Sequence, residues 1–479
     1  MASIKRNFLY SSILTISGYL FPLITFPYVT RVLGVNNIGI CNFVDSIIQY
    51  FIYFSMMGIY TIGIREIAKA KGTKGDLSKV FSSLLSLNMI MTILSIVILL
   101  ACTLCIPTLH EYKQMYFIGA AKILSNTLLI EWLFRGLEDF KYITLRSIIV
   151  RAIYVLSVLL FVKEEGDYMI YFLLTTMMVL VNAAINILYS RKFVRFQIRN
   201  LSFRPYLKSS MILGCYSLLT SMYTTFNVAY LGAVTDTVEV GYYSTATKLT
   251  GIILALYSAF TGVMIPRMCS ILSQEKYDEF MQLARKSVEV LLAFAIPLII
   301  VSEVCTSQII NIVAGQGYEG AVNPLRITIP LILIIGYEQI LVLQVLTPLK
   351  KDSAILKNSV IGAVVGITFN IVLVRTFASI GTSVVWFFSE VAVLISAQYF
   401  VKKFINFKFP TGSFVKRLLY LVPLTVLSFV IEQSISNQYI ALGAVCIFAV
   451  AGSLFCELYI LHNEILKDSV GKLCQKLHH

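Results

Sequence analysis

The chain has 479 residues, of which 58% are hydrophobic and only 13% charged, and its net charge is +14. Soluble domains carry about 25% charged residues, so composition excludes a water-soluble fold of this length and makes lipid the main solvent. The positive charge sits in short loops between apolar runs, not on a Lys/Arg face of a soluble module, which excludes a nucleic-acid partner.

A transmembrane helix needs about 20 mostly apolar residues. On that rule fourteen spans are predicted, at 8–30, 38–63, 79–105, 114–135, 142–162, 168–190, 209–232, 241–265, 286–313, 324–347, 357–375, 379–401, 415–432 and 438–461. The N-terminal MASIKRNFLYSS is basic, lacks a small-residue cleavage site and runs into a stretch long enough to span. It reads as a retained first helix that serves as its own insertion signal.

Span one ends in PYVTRVLG and places Arg31 at the outer mouth, either as a headgroup anchor or as a receiver of phosphate on release. Span two carries Asn42, Asp45, Gln49 and Tyr53 at steps of three, four and four, hence on one helical face. A charge in hydrocarbon costs roughly 2.5–3.5 kcal/mol on insertion scales. Asp45 therefore calls for a cavity, with a transport role, or for a structural pair with a neighbouring hydroxyl or Lys. Cys102 and Cys105 form a C-x-x-C at the end of span three with no second pair and no nearby His, which reads as small buried apolar residues and not as a redox or metal site.

Span four holds Lys122, Glu131 and Arg135. The last two are four apart and able to pair, whereas Lys122 points to the opposite face. Arg151 on span five either reaches a diphosphate on the cytoplasmic side or snorkels back to the surface; the first is favoured. The longest cytoplasmic connection, around RKFVRFQIRNLSFRPYLKSS, reads as a basic interfacial helix joining two halves.

Ser217, Thr220, Thr224 and Asn227 form one stripe on span seven, and Ser244, Lys248, Gly251, Ala255 and Ser258 another on span eight. Lys248 is a point charge suited to neutralising a diphosphate, with snorkelling to the outer surface as the alternative. Glu338 on span ten and Glu390 on span twelve are lone carboxylates at membrane depth. They either carry a coupling proton, as Asp45 also could, or stand as neutral structural groups.

Alternate loops divide the cations 31 to 5. Such a bias fits an even number of spans with both termini cytoplasmic, at the plasma (inner) membrane. Gly39 and Arg65 of span two recur as Gly241 and Arg267 of span eight, with the same 26-residue spacing and an offset of 202 residues. Two six-helix lobes, 1–195 and 196–405, are thus predicted, with two further helices and a cytoplasmic tail in 406–479. Parallel repeats of this kind suit alternating access around a cavity between lobes. There is no P-loop, no G-x-S-x-G and no H-E-x-x-H, and only four His. The chain is therefore expected to be no enzyme and to hold no metal or cofactor.

The stretch FPLITFPYVTRVLGVNNIGICNFVDSIIQYFIYFSMMGIYTIGIREIAKAKG resembles the start of bacterial Wzx-type polysaccharide flippases. Pro27, Tyr28, Arg31, Leu33, Gly34, Gly39, Phe43, Gly63, Arg65 and Glu66 carry the pattern. NVAYLGAVTDTVEVGYYSTATKL and the following MIPRM, with Gly241, Tyr242, Tyr243, Ala246, Lys248, Pro266 and Arg267, are similar to that family's second lobe. The resemblance covers roughly the first 400 residues and places the chain in the multidrug/oligosaccharidyl-lipid/polysaccharide exporter superfamily. It implies an all-α integral membrane protein of about 14 helices, with two six-helix lobes in a MATE-like V shape plus two C-terminal helices. It further implies an undecaprenyl-diphosphate-linked oligosaccharide as substrate and cationic cavity residues near Lys248. Expected partners are the phospholipid membrane, a polysaccharide polymerase and a chain-length regulator. The same-fold alternative is a cation-coupled multidrug exporter.

Overall fold

The computed structural model describes residues 4–71, 74–197 and 201–461. The expected cytoplasmic tail, with Lys467, Lys472 and Lys476, lies outside them, as does Arg199 of the central loop. The described residues hold helices and no strand.

The first helix, α1, runs Ile4–Met56 over 53 residues. At 1.5 Å per residue it would reach about 80 Å, far more than a hydrocarbon core of about 30 Å. Gly34, at φ 72° and ψ 170°, breaks it into two arms in a conformation open essentially to glycine alone. After Gly58 come α2 (Ile59–Ala70), α3 (Lys74–Cys105), the short α4 (Pro107–His110) and α5 (Lys113–Leu128). Then α6 (Glu131–Gly136), α7 (Phe140–Phe161), α8 (Tyr168–Ser190), α9 (Arg204–Ser221) and α10 (Thr225–Val234) follow. The later helices are α11 (Thr237–Ser273), α12 (Tyr277–Val304), α13 (Thr306–Val313), α14 (Val322–Thr328) and α15 (Leu331–Gln339). The series closes with α16 (Asp352–Phe369), α17 (Arg375–Ile405), α18 (Thr411–Ser434) and α19 (Gln438–Phe455).

Among the described residues, eleven helical stretches are long and apolar enough to cross a membrane. Two of them, Leu9–Ala70 and Asp352–Ile405, run 62 and 54 residues and are long enough for two crossings each. Each contains a backbone break, at Gly34 and at Ala378 (φ 46°, ψ −125°). The α9–α10 pair, interrupted at 222–224, supplies one more apolar stretch. The described helices are compatible with fourteen crossings.

The chain forms two compact units, one of Met1–Ser244 with Asn370–Ala378, the other of Thr245–Phe369 with Ser379–His479. In the first, α9 and α10 pack on the second arm of α1, and α9 also packs on α2, so this unit extends past residue 195. One core of this unit gathers Leu84, Trp132, Leu133, Phe134 and Ile143. In the second, Ile296 and Ile300 of α12 pack with Tyr420 and Leu424 of α18 and Val445 and Ala449 of α19.

The two glycines of the repeat meet inside the first unit. A Cβ on Gly39 would overlap the Thr237 carbonyl oxygen, and a Cβ on Gly241 would overlap the Val35 carbonyl oxygen. Val35 and Thr237 are themselves 202 residues apart. The contact therefore maps onto itself under the repeat offset, which is the signature of a local two-fold.

Two expectations are corrected. The connection at 191–203 is not an interfacial helix where it is described: residues 194–197 and 201–203 are irregular and helix resumes only at Arg204. Its backbone N–H groups instead donate to a row of serines on α3, Arg195 to Ser78 (3.1 Å), Gln197 to Ser82 (2.8 Å) and Ser202 to Ser83 (3.1 Å). Those hydroxyls satisfy backbone donors that a helix would have satisfied internally. Secondly, Arg146 and Arg417, which count among the 31 cations of the basic side although they fall at the starts of the windows 142–162 and 415–432, are buried within α7 and α18, because carboxylates on neighbouring helices compensate them.

Candidate functional site

Three side-chain groups stand at membrane depth in the first unit. On the second arm of α1, Asn42 and Asp45 are half-buried, and so is Gln49 one turn on. Asn42 donates back to the Ile38 carbonyl (2.8 Å). Asp45 is ion-paired to Lys122 of α5, the structural pair with a Lys that its depth allowed. Lys122 also lies 5.9 Å from the centre of the Phe172 ring, in cation–π range. The phenols of Tyr154 and Tyr171 lie close enough to interact with each other and with the Asp45 carboxylate. A partly exposed, aromatic-walled ion pair results. Asp45 keeps 42% of its side chain exposed and Lys122 only 13%, so the carboxylate is the accessible partner.

The second group is a closed network. Arg146 donates to Glu131 (2.5 Å), to Ser147 (2.9 Å) and to Asn186. Tyr142 donates to Asn186 (2.9 Å), and Arg135 sits 3.9 Å from Glu131. The expected Glu131–Arg135 pair therefore exists, but Arg146 is the shorter partner. The count of basic-side cations takes Arg146 with the loops although the window 142–162 contains it; the signal for its burial was Asn186, an amide within span six that needs a partner.

The third group is Arg151. Its guanidinium donates to the Ser17 hydroxyl (2.5 Å) and to the Leu14 carbonyl (3.2 Å), both on the first arm of α1. Gly18 packs beside it, at a distance where even a Cβ would make only ordinary van der Waals contact with Nη2 (3.6 Å). Among the described residues it has no carboxylate within salt-bridge distance. It is a half-buried cation whose hydrogen bonds go to neutral oxygens, a state that favours arrival of an anion.

Other expected site residues of this unit scatter. Arg31 is exposed near the Gly34 break, donating to the Pro27 carbonyl (2.8 Å). Thr224 is exposed in the break between α9 and α10. Asn227 is fully buried, donating to Tyr243 (3.3 Å) and accepting from Asn370 (2.8 Å). The span-seven stripe is thus divided by the turn at 222–224.

In the second unit Lys248 is half-buried on α11, seven residues after Gly241. Further along, α11 is joined to α14, α15 and the π turn at 340–346 by polar rungs, Thr250–Thr328 (2.9 Å), Ser258–Gln339 (3.1 Å) and Thr261–Gln344 (3.4 Å). Glu390 accepts from the Trp386 indole (3.0 Å) and is 6% exposed. Glu338 and Glu390, read as lone carboxylates, lie close enough for their charges to interact. Around Arg417, Glu457 accepts two hydrogen bonds from the guanidinium (2.6 and 2.7 Å), Glu289 stands 2.7 Å away and Tyr420 donates to Glu457 (2.9 Å). This cluster ties α12, α18 and the turn after α19 together.

Periodicity could not find Gln344, Asn370 and Glu457. Each lies in a short π-helical turn, at 340–346, 370–374 and 456–460, and each is essentially wholly buried. A π turn inserts a residue and re-aims the side chains that follow.

The family profile described as "Polysaccharide biosynthesis protein" matches residues 4–272. A putative O-antigen transporter of Escherichia coli (strain K12) is 24% identical over 412 residues, covering 84% of this chain and 97% of that protein. A putative O-antigen transporter of Shigella dysenteriae is 22% identical over 398 residues, covering 82% and 98%. Among solved structures, the lipid II flippase MurJ in its inward closed conformation superposes with a TM-score of 0.79 at 13% identity, over 95% of this chain and 99% of that one. An outward-facing multidrug resistance MATE transporter of the MOP superfamily reaches 0.59 at 12% identity, over 84% and 96%. At such identities the structural likeness speaks for the fold: an all-α, multi-pass membrane protein. Because the family profile spans more than half of the sequence, the chain belongs to the polysaccharide biosynthesis protein family.

Proposed function

We propose that this protein flips undecaprenyl-diphosphate-linked oligosaccharide repeat units from the cytoplasmic to the outer leaflet of the bacterial plasma membrane, for surface polysaccharide. Transport would proceed by alternating access of two six-helix lobes, 1–195 and 196–405, with residues 406–479 outside the repeat and both termini cytoplasmic. The polymerase and the chain-length regulator would take the repeat unit on the far side. The family supports this reading, as do the O-antigen transport named for both relatives and the flippase fold.

The observation that carries it is Arg151, a guanidinium within a membrane span bonded to a hydroxyl and a carbonyl. A diphosphate supplies the missing counter-charge in the bidentate geometry guanidinium favours. Lys248 and Arg31 would hand the same group onward. Asn42, Gln49, Thr224 and Asn227 would contribute polar lining or support, and Asp45, Glu338 and Glu390 are the candidate coupling groups.

Replacing the native gene with Arg151→Gln or Lys248→Ala tests this. The protein should insert at normal level while surface polysaccharide falls about tenfold or more, as expected for loss of one hydrogen bond to a charged group. Normal polysaccharide would remove that residue from the substrate path. Unchanged polysaccharide in the deletion strain, with new sensitivity to cationic dyes, would favour a multidrug exporter instead.

A further inference from the structure

A groove of about 580 Å³ lies in the first unit where α3, α5, α8 and the connection after Ser190 meet. Phe81, Leu85 and Met89 wall one side. They are spaced four apart on α3 and so form one continuous stripe. Leu128 at the end of α5 closes the groove opposite, and Arg191 and Arg195 stand at its rim.

Both arginines are exposed, and neither has an ion pair among the described residues. The arrangement is built. Ser78 and Ser82, on the neighbouring stripe of α3, accept from the backbone N–H groups of Arg195 and Gln197, which holds the strand of chain carrying Arg195 along the groove's edge. Lys192, by contrast, sits 4.7 Å from the centre of the Tyr189 ring.

An apolar trough of ligand-pocket size, commonly about 300–1,000 Å³, that ends in two unpaired guanidiniums at the end of three spans has a definite complement. It fits an aliphatic chain bearing a phosphate. Basic pockets between spans bind acidic headgroups in this way, and guanidinium grips phosphate with paired N–H donors. We infer that this groove is a binding site for an anionic diacyl phospholipid of the surrounding membrane, with one acyl chain along Phe81, Leu85, Met89 and Leu128 and the phosphate on Arg191 and Arg195. The site is independent of the transport path proposed above and uses none of its residues.

The test titrates the purified full-length protein, in neutral detergent, with dioleoylphosphatidylglycerol, with dioleoylphosphatidylcholine and with inorganic phosphate, reading bound lipid by native mass spectrometry and melting temperature in parallel. Phosphatidylglycerol should bind and stabilise, and the other two should not. Arg191→Gln/Arg195→Gln should weaken phosphatidylglycerol binding at least tenfold, and Met89→Trp, which fills the trough and leaves the cations, should do the same. Leu128→Trp takes its place should Met89→Trp fail to fold. Lys402→Gln/Lys403→Gln removes as much exposed positive charge elsewhere and should change binding less than twofold. Equal binding of phosphatidylcholine, equal stabilisation by phosphate alone, unchanged binding in the groove variants, or an equal loss in the Lys402/Lys403 control would each overturn the site.

Discussion

Gly39 and Gly241, separated by 202 residues in the chain, pack backbone to backbone, each against the residue four positions before the other. The recurrence seen in the sequence is thus a physical contact, and its reciprocity leaves no room for a side chain on either partner. Gly39→Ala or Gly241→Ala should lower stability by about 1–3 kcal/mol or more, the range for overpacking, since a backbone carbonyl cannot rotate aside as a side chain can. Gly251→Ala is the control: a Cβ there meets nothing within 4 Å, and alanine is the better helix former by about 1 kcal/mol. Melting temperatures of the three purified variants should separate the two classes.

The Asp45–Lys122 pair allows a double-mutant cycle. Asp45→Asn strands a largely buried ammonium beside Phe172, and Lys122→Met strands a carboxylate that is still 42% exposed. Removing one partner of a buried pair costs up to about 3–5 kcal/mol, and the partial exposure of Asp45 brings the expectation down to about 1–3 kcal/mol. The Asp45→Asn/Lys122→Met double variant should recover most of the loss. Additive losses in detergent melting curves would show that the two charges do not depend on each other.

The Arg417 cluster should be the more demanding test of packing. Arg417 and Glu457 are each 1% exposed, and Glu289 completes the neutralisation. Glu457→Gln should destabilise by about 3–5 kcal/mol and loosen α18 and α19 from α12. Limited proteolysis in the connection at 435–437 should accelerate relative to the wild-type protein, and equal cleavage rates would contradict the bracing role.

Glu338 of α15 and Glu390 of α17 lie close enough for their charges to influence each other. If that carboxylate pair exchanges the coupling ion, Glu338→Gln and Glu390→Gln should each abolish the dependence of transport on an imposed ion gradient while leaving lipid-linked substrate bound. A gradient response equal to the wild type in both variants would assign the pair a structural role.

Much of the fold was legible because lipid imposes a simple rule: every span must be long and apolar. The windows at 8–30 and 38–63 recover the two arms of α1, whereas the window at 286–313 is divided between α12, which ends at Val304, and α13. Charges near span ends were the illegible part. A count of cations near span ends cannot distinguish a loop cation from one drawn into a helix by a distant carboxylate, so Arg146 and Arg417 count with the basic side for want of Glu131, Glu289 and Glu457. The π turns at Gln344, Asn370 and Glu457 interrupt the 3.6-residue period that face assignments rest on. The connection at 191–203 was basic enough for an interfacial helix, but the serines of α3 offered its backbone another set of partners. At the candidate site, spacing grouped Asn42, Asp45 and Gln49 on one face, while the identity of the Asp45 partner needed coordinates.

The most direct measurement reconstitutes the purified protein in liposomes that carry a lipid-linked oligosaccharide in one leaflet, and follows its exposure to an impermeant lectin on the other side. Wild-type protein should expose the oligosaccharide many times faster than empty liposomes, with Arg151→Gln and Lys248→Ala slower by about tenfold or more. Exposure no faster than in protein-free liposomes, with the protein folded and correctly inserted, would contradict the flippase function proposed for this chain.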